Sequence, residues 1–201
     1  MDNDTRNLYE RYAHMFEQGN KRYSFELFKE DATKFLEIMK GRLILDLGSG
    51  PGREAQYFYE LGYKIICSDF SRTALEFCMD KGINSVLNDM ENPSFKERSF
   101  DGIWAHNSII HLPKIRIKEN IGKIYHLTKS KGVIYFGIKE GNFEGYEELE
   151  RYPGEKRFVA LYEDDEMKSI LKRKFKIVNS WKREFGEDKK EIYLNYLCIK
   201  I

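Results

Sequence analysis

Two hydrophobic periods alternate along the chain. Apolar runs of about five or six residues, typical of buried strands, are separated by stretches with an apolar residue at every third or fourth position, typical of amphipathic helices. The apolar runs predict strands at residues 42–47, 63–68, 83–87, 100–105, 133–138, 175–181 and 192–199. The helical periods predict helices at residues 8–17, 25–39, 53–61, 71–79 (with Ser71 as N-cap), 115–127 and 164–171. This alternation of strands and helices favours a parallel α/β sheet.

The end of the chain departs from the alternation. Two strands follow one another around a polar turn at Gly186–Lys189, which predicts an antiparallel strand closing the parallel sheet. The stretch 141–154, rich in Glu, Gly and Tyr, is predicted to be irregular. We therefore expect one domain over residues 1–201, with a helical cap at 1–40, a cofactor-binding core at 41–139, a substrate-side loop at 140–160 and a C-terminal helix and hairpin at 161–201.

Composition narrows the class of protein. The 201 residues can bury one sizeable core, and a net charge of +1 disfavours a generic nucleic-acid binder. No apolar run approaches the ~20 residues that span a bilayer. The polar start Met1–Asp4 and the wide spacing of three cysteines, without a CxxC pair, predict a cytoplasmic protein with neither a disulfide framework nor a metal site.

The segment LILDLGSGPG at residues 43–52 carries the strongest chemical signal. A buried strand ends in a loop with Gly48, Gly50 and Gly52, and a helix follows at once. Glycines allow a tight turn and a close approach of the backbone to a ligand, and the helix presents free N–H groups to it. This arrangement predicts a cofactor site.

Several cofactors are bound by glycine loops. The P-loop string GxxxxGK[ST] is absent, and the nicotinamide fingerprint GxGxxG would require glycine where Arg53 stands. Asp46 inside the loop region would repel a pyrophosphate, but it suits a ligand with a cationic amino-acid portion. Asp69 and Asp89 follow the next two strands, at the sheet edge where a carboxylate can bind ribose hydroxyls.

Four motifs in order carry a family resemblance: LDLGSGPGRE, CSDFS, NDM and FDGIWAHNSIIHLPK. Together they resemble the class I S-adenosylmethionine-dependent methyltransferases, from about Tyr9 to the C-terminus. The resemblance implies a Rossmann-like, doubly wound sheet of seven mostly parallel strands with an antiparallel last strand. It also implies helices on both faces and an N-terminal helical lid.

The resemblance also implies a role for each motif residue. Backbone at Gly48 and Gly50 would contact the methionine portion of S-adenosylmethionine, Asp46 would sit near its amino group, and Asp69 would bind the ribose. The adenine would meet Phe70, Asp89 and Met90, and the sulfonium would lie over Ala105, His106 and Asn107. Tyr9 and Phe16 match the pattern of lid helices in such enzymes.

A general base is needed only if the acceptor must lose a proton. His111 is the first candidate, because histidine titrates near neutral pH, and Tyr9 and His106 follow. Either histidine could instead be a satisfied core residue, and the two do not form a metal site. Arg53 could anchor an acidic substrate or pair with Glu54. Asp46, Asp69 and Asp89 could also be ordinary capping or turn residues.

The acceptor is indicated only in outline. An Asn/Asp-Pro-Pro-Tyr motif is missing after the fourth strand, where His106–Ile109 stand, and no Pro-Cys pair occurs, so methylation of nucleic-acid bases is disfavoured. We therefore expect a small-molecule methyl acceptor. A non-catalytic cofactor- or metabolite-binding protein and a dinucleotide oxidoreductase are the alternatives, and the oligomeric state is not indicated.

Overall fold

A seven-stranded sheet forms the centre of the computed structural model, which describes residues 2–19, 28–149, 152–185 and 190–201. Its strands run in the order β3-β2-β1-β4-β5-β9-β8. Strands β1 to β5 pair in parallel, and β9 is antiparallel to both β5 and β8. The strands are β1 (Leu43–Leu47), β2 (Lys64–Asp69), β3 (Asn84–Leu87), β4 (Phe100–His106), β5 (Thr128–Lys139), β8 (Phe175–Phe185) and β9 (Glu191–Lys200).

Helices cover both faces of this sheet. Phe35 of α2, Phe58 of α3 and Leu75 of α4 pack on one face, around Trp104 and Tyr135, whose rings stack with centroids 3.8 Å apart. Isoleucines of α5 and Met167 of α6 pack on the other face. The helices are α1 (Asn3–Gly19), α2 (Lys29–Ile38), α3 (Arg53–Glu60), α4 (Arg72–Asp80), α5 (Lys114–Leu127) and α6 (Asp164–Leu171). The predicted fold class is confirmed.

The strand order reverses between β1 and β4. The chain steps from β1 outward to β2 and β3, and then crosses back to place β4 on the other side of β1. Successive crossovers at such a point leave on opposite faces of the sheet, so a crevice opens at the carboxyl ends of the strands. The glycine loop after β1 lies at this crevice.

Two local predictions were wrong. Residues 141–154 are not irregular, because β6 (Glu144–Leu149) and β7 (Tyr152–Ala160) form an antiparallel hairpin. One face of this hairpin is exposed and rich in Glu, so the apolar alternation that indicates a strand is weak there. Strand β5 does not begin at residue 133 as predicted but at Thr128, where it already pairs with Phe100. Phe25 to Leu27 of the second predicted helix and the Gly186–Lys189 turn lie outside the described residues.

A buried acid ties the N-terminal segment to the end of the sheet. Asp31 of α2 is fully buried and accepts hydrogen bonds from Trp181 Nε1 at 3.0 Å, Arg183 at 2.7 Å and Tyr135 Oη at 3.2 Å. Removing one partner of a buried ion pair leaves the other partner without its counter-charge, which is more costly than losing a surface contact. Asp31 therefore joins α2 to β5 and β8.

We expect Asp31→Ala to lower the free energy of unfolding by about 3 kcal/mol. The adjacent Glu30 offers a matched control, because it pairs with Lys34 and Arg183 at the exposed surface. Glu30→Ala is expected to cost no more than about 1 kcal/mol. Urea denaturation of the two variants measures the difference, and equal losses would contradict this role for Asp31.

Candidate active site

The loop after β1 has a backbone that only glycine fits well. Gly48 and Gly50 have φ of +74° and +52°, and a Cβ at Gly48 would overlap the side chain of Ser108. A Cβ at Gly50 would meet nothing within 4 Å, so the backbone there borders open space. Gly48 N donates to Ser68 O at 2.7 Å and fixes the loop against β2. The loop thus presents its backbone to the crevice.

Asp69 joins this loop to the next strand end. The buried carboxylate accepts Gly50 N at Oδ2 and Ser71 N at Oδ1, both at 2.9 Å. Burial raises the pKa of Asp69, although these backbone donors oppose the rise. Each carboxylate oxygen has a further acceptor site beyond the bond it makes. Asp69 can therefore hold the loop and accept hydroxyl groups of a ligand at the same time.

A cavity of about 680 Å³ lies over these strand ends. It follows the carboxyl edge of the sheet from Asp69 of β2, past Gly48, to His106 of β4 and Lys139 of β5, and it ends at β9. Tyr9 of α1 and Tyr152 of the hairpin contribute from the side opposite the sheet. A more open groove of about 850 Å³ between α1 and the hairpin is lined mainly by polar side chains and touches no strand end of the main sheet.

Most of the predicted site residues meet in the cavity. The structure brings together predicted residues from α1, the glycine loop and the ends of β2 and β4. The lining residues among them are Tyr9, Phe16, Gly48, Gly50, Arg53, Asp69, Phe70, Met90, His106, Asn107 and His111, whereas Ala105 is buried in β4 and is not among the lining residues.

Asp46 and Asp89 do not line the cavity. Asp46 is buried beneath the loop, where burial and the neighbouring Glu54 raise the pKa of its carboxyl well above the usual range. Asp89 pairs with Arg6 of α1 and accepts Glu91 N at 2.9 Å. In this structure Asp89 therefore holds the lid helix against the segment after β3.

His111 has a partner on each ring nitrogen. Nδ1 lies 2.8 Å from Phe158 O, so it must donate, and Nε2 lies 2.9 Å from Tyr9 Oη. Burial, helped by the charge of Arg157, lowers the pKa of His111 to about 3, so the ring is neutral and Nε2 accepts from Tyr9. Arg157 in turn donates to Tyr9 Oη at 2.8 Å and to Glu147 at 2.7 Å. These contacts connect helix α1, strand β7 and the segment after β4.

His106 has a different environment. Its Nδ1 lies 3.1 Å from Glu54 Oε1, and Glu54 also pairs with Arg53. Although burial opposes it, Arg53 and His106 hold the pKa of Glu54 well below the usual range, so this carboxylate is charged and accepts from Nδ1. Arg53 was expected either to anchor an acidic substrate or to pair with Glu54, and the structure contains the pair with Glu54.

Sequence reasoning missed several cavity residues. The sequence indicates Glu54 only as a partner of Arg53, and it places Arg157 in the substrate-side loop without a role. Arg157 is instead half-buried and donates a hydrogen bond to Tyr9. This contact depends on the hairpin, which the sequence pattern did not indicate. Tyr193 and Glu191 reach the cavity because β9 inserts beside β5, and no local motif marks that pairing.

Within the described part of the chain, no group of three or more His, Cys, Asp or Glu side chains could hold a metal ion. Over the same residues, no helix has the length and apolar character needed to cross a bilayer. The cysteines 67, 78 and 198 are buried free thiols.

Comparison with known proteins assigns the core of the chain. Residues 44–132, which include the glycine loop, Asp69 and His106, match the family model described as "Methyltransferase domain". Residues 44–132 are thus similar to methyltransferase domains, the family type that the sequence motifs resemble. The solved 1,6-didemethyltoxoflavin-N1-methyltransferase of Burkholderia thailandensis, bound to its substrate and S-adenosylhomocysteine, superposes with a TM-score of 0.73. That match covers 96% of this chain and 87% of the other at 18% identity, so it supports the fold alone.

Curated relatives match shorter parts of the chain. The malonyl-(acyl-carrier protein) O-methyltransferase of Salmonella typhimurium is 26% identical over 115 residues, which are 55% of this chain and 45% of that protein. Methyltransferase GfsG of Streptomyces halstedii is 29% identical over 97 residues, 44% of this chain and 35% of the relative. The matched segment thus spans less than half the length of either relative.

The neutral state of His111 predicts a pH dependence of stability. An unfolded histidine takes up its proton near pH 6.5, whereas the folded ring does so only near pH 3. Between these values the unfolded state binds more protons, so the free energy of unfolding falls as the pH falls, by up to about 1.4 kcal/mol per pH unit from this group. Above pH 6.5 the group contributes no slope.

Denaturant unfolding at several pH values between 4 and 7.5 checks this prediction. His111→Gln should flatten the acid limb relative to wild type. Tyr9→Phe removes the hydrogen bonds of Tyr9 Oη with His111 and Arg157 but keeps the buried imidazole, so it should retain the slope. A His111→Gln profile parallel to that of wild type would contradict the assignment.

Proposed function

We propose that this protein is an S-adenosylmethionine-dependent methyltransferase that acts on a small molecule. The observation that carries the proposal is Asp69, a buried carboxylate with spare acceptor sites beside a glycine loop, at the point where the strand order reverses. Ribose hydroxyls need such an acceptor, and the backbone at Gly48 and Gly50 can approach a ligand closely. The residues present therefore fit the cofactor of the family.

The proposed cofactor position follows the order of the strands. Asp69 would bind the ribose, with Phe70 and Met90 against the adenine, and Gly48 and Gly50 would face the methionine portion. Asp46 would lie beneath the loop, near the amino group of the methionine portion. Direct contact between Asp89 and the adenine stays a prediction, because its carboxylate already holds Arg6 and Glu91 N.

The protein's contribution to methyl transfer is mainly positioning and exclusion of water. S-adenosylmethionine supplies an activated methyl group on a positively charged sulfur, and transfer needs an in-line approach of the acceptor. Tyr9 is fixed in the cavity wall by Arg157 and His111, and burial raises its pKa, so it stays a phenol. Its aromatic neighbours Phe16 and Phe70, at centroid distances of 5.0 and 5.9 Å, help to close the cavity.

A small acceptor is supported by the shape of the site. The cavity of about 680 Å³ has the size of known ligand pockets, and α1 and the hairpin enclose it opposite the sheet. The Burkholderia neighbour binds a small molecule, which agrees with this choice. Three buried free thiols support a cytoplasmic location as part of the proposal.

Calorimetry with S-adenosylhomocysteine and S-adenosylmethionine tests the cofactor. We expect both to bind and NADH not to bind. Binding of NADH alone at millimolar concentration would contradict the proposal. A second test incubates the protein with methyl-labelled S-adenosylmethionine and a metabolite extract. Binding of S-adenosylmethionine without transfer of the label to any component would indicate a non-catalytic binding protein instead.

Asp69→Ala should weaken S-adenosylhomocysteine binding by at least tenfold, because the ribose acceptor is lost and Gly50 N loses its partner. Asp80→Ala, at the exposed end of the adjoining helix α4, is the control and should bind as wild type does. Both variants are first compared by thermal unfolding. Unchanged affinity in a folded Asp69→Ala protein would refute the ribose assignment.

A further inference from the structure

The two histidines of the cavity differ in what their ring nitrogens can do. Both nitrogens of His111 are engaged, by Phe158 O and by Tyr9 Oη. The side chain of His106 is only 6% exposed and its Nδ1 faces Glu54, but its Nε2 is buried without a hydrogen-bond partner among the described residues. A buried polar atom without a partner is costly, so it points to a missing ligand group.

The protonation pattern of His106 follows from its partner. A charged carboxylate only accepts hydrogen bonds, so the bond to Glu54 places the ring proton on Nδ1. The neutral ring then carries its lone pair on Nε2. A carboxylate that orients an imidazole in this way also stabilises the imidazolium formed when Nε2 takes a proton. Arg53 keeps Glu54 charged and in place.

The position of His106 separates it from the cofactor half of the cavity. It ends β4, between β1 with its glycine loop and β5 with Lys139. On the proposed cofactor position, the ribose lies over β2, so the space over β4, β5 and β9 is left for the acceptor. The imidazole stands at the border of the two halves.

The acceptor half is aromatic, and its charges are already paired. Phe28, Phe185 and Tyr193 form an aromatic cluster, and the Phe28 ring lies 4.2 Å from the His106 ring between centroids. Lys139 pairs with Glu191 at 2.9 Å, as Arg53 does with Glu54. A charged acceptor would have to break these pairs, whereas a flat neutral ring fits against the cluster.

We propose that His106, oriented by Glu54, accepts the proton of a neutral aromatic or heteroaromatic acceptor that presents an O–H or ring N–H group. This inference rests on the proposed function. The acceptor atom forms its bond to the methyl carbon, the carbon–sulfur bond breaks with its electron pair left on sulfur, and the acceptor proton moves to Nε2. The positive charge of the sulfonium is thereby replaced by that of an imidazolium paired with Glu54.

Phenol and its methyl ether anisole are matched probes, because they differ in the proton that His106 would accept. In protein with ¹⁵N-labelled histidine and bound S-adenosylhomocysteine, NMR should find the His106 proton on Nδ1. Phenol at millimolar concentration should shift the Nε2 resonance, and anisole should not. A proton on Nε2, or equal responses to phenol and anisole, would overturn the proposal.

Activity provides the second readout. With methyl-labelled S-adenosylmethionine, wild-type protein should form labelled anisole from phenol, and His106→Gln should do so at least 100-fold more slowly. Glu54→Gln, which keeps the size but removes the charge, should slow the reaction and shift its pH profile. Equal rates for wild type and His106→Gln would overturn the role of His106, and no anisole from wild type would overturn the acceptor class.

The outcomes separate this inference from the proposed function. Failure of S-adenosylhomocysteine to bind in calorimetry removes the methyltransferase assignment itself. Normal binding of S-adenosylhomocysteine, combined with an Nε2 resonance that ignores phenol, removes only the assignment of His106.

Discussion

The site depends on the pair of hydrogen bonds that Asp69 accepts from Gly50 N and Ser71 N. This one carboxylate joins the loop after β1 to the start of the helix after β2. Its burial makes the two bonds strong and also makes them necessary, since a buried carboxylate without donors would be costly. The loop therefore has a fixed shape before any ligand arrives, and binding needs little reorganisation of the backbone.

The order of the strands divides the cavity into two working halves. Strands β2 and β1 supply Asp69, the proposed ribose acceptor, and a glycine backbone, and strands β4, β5 and β9 supply the histidine, the ion pairs and aromatic side chains. The antiparallel insertion of β9 beside β5 matters for the second half, because it brings Tyr193 and Glu191 to the same edge. The proposed cofactor half and the proposed acceptor half are thus built from different strands of one sheet.

The lid is attached by polar contacts at several separate points. Arg6 binds Asp89, Glu10 accepts Thr73 Oγ1 at 2.7 Å, and Tyr9 meets His111 and Arg157. Each contact joins α1 to a different part of the cavity rim. Partly exposed ion pairs are individually weak. The Arg6–Asp89 pair is of this kind, whereas Tyr9 is bonded to the buried His111, so surface contacts alone do not hold α1 in place.

Short-range patterns were enough to predict the parallel sheet, the glycine loop and the acid after β2, because each is encoded within about ten consecutive residues. Ser71 was likewise recognisable as an N-cap, and it accepts Ala74 N at 3.1 Å. The hairpin at β6 and β7 escaped prediction because its charged face hides the alternation. The pairings of Tyr9 with His111 and of Glu54 with His106 span 102 and 52 residues, so only the folded chain shows them. Sequence reasoning favoured His111 as a base, whereas the free nitrogen belongs to His106.

A crystal structure with bound S-adenosylhomocysteine would locate the cofactor relative to Asp69 and His106 in one measurement. We expect ribose hydroxyls within hydrogen-bond distance of Asp69, the adenine near Phe70 and Met90, and the sulfur directed toward the end of β4. A ligand whose ribose lies instead beside Lys139 and Glu191, or whose sulfur is directed away from His106, would contradict this expectation.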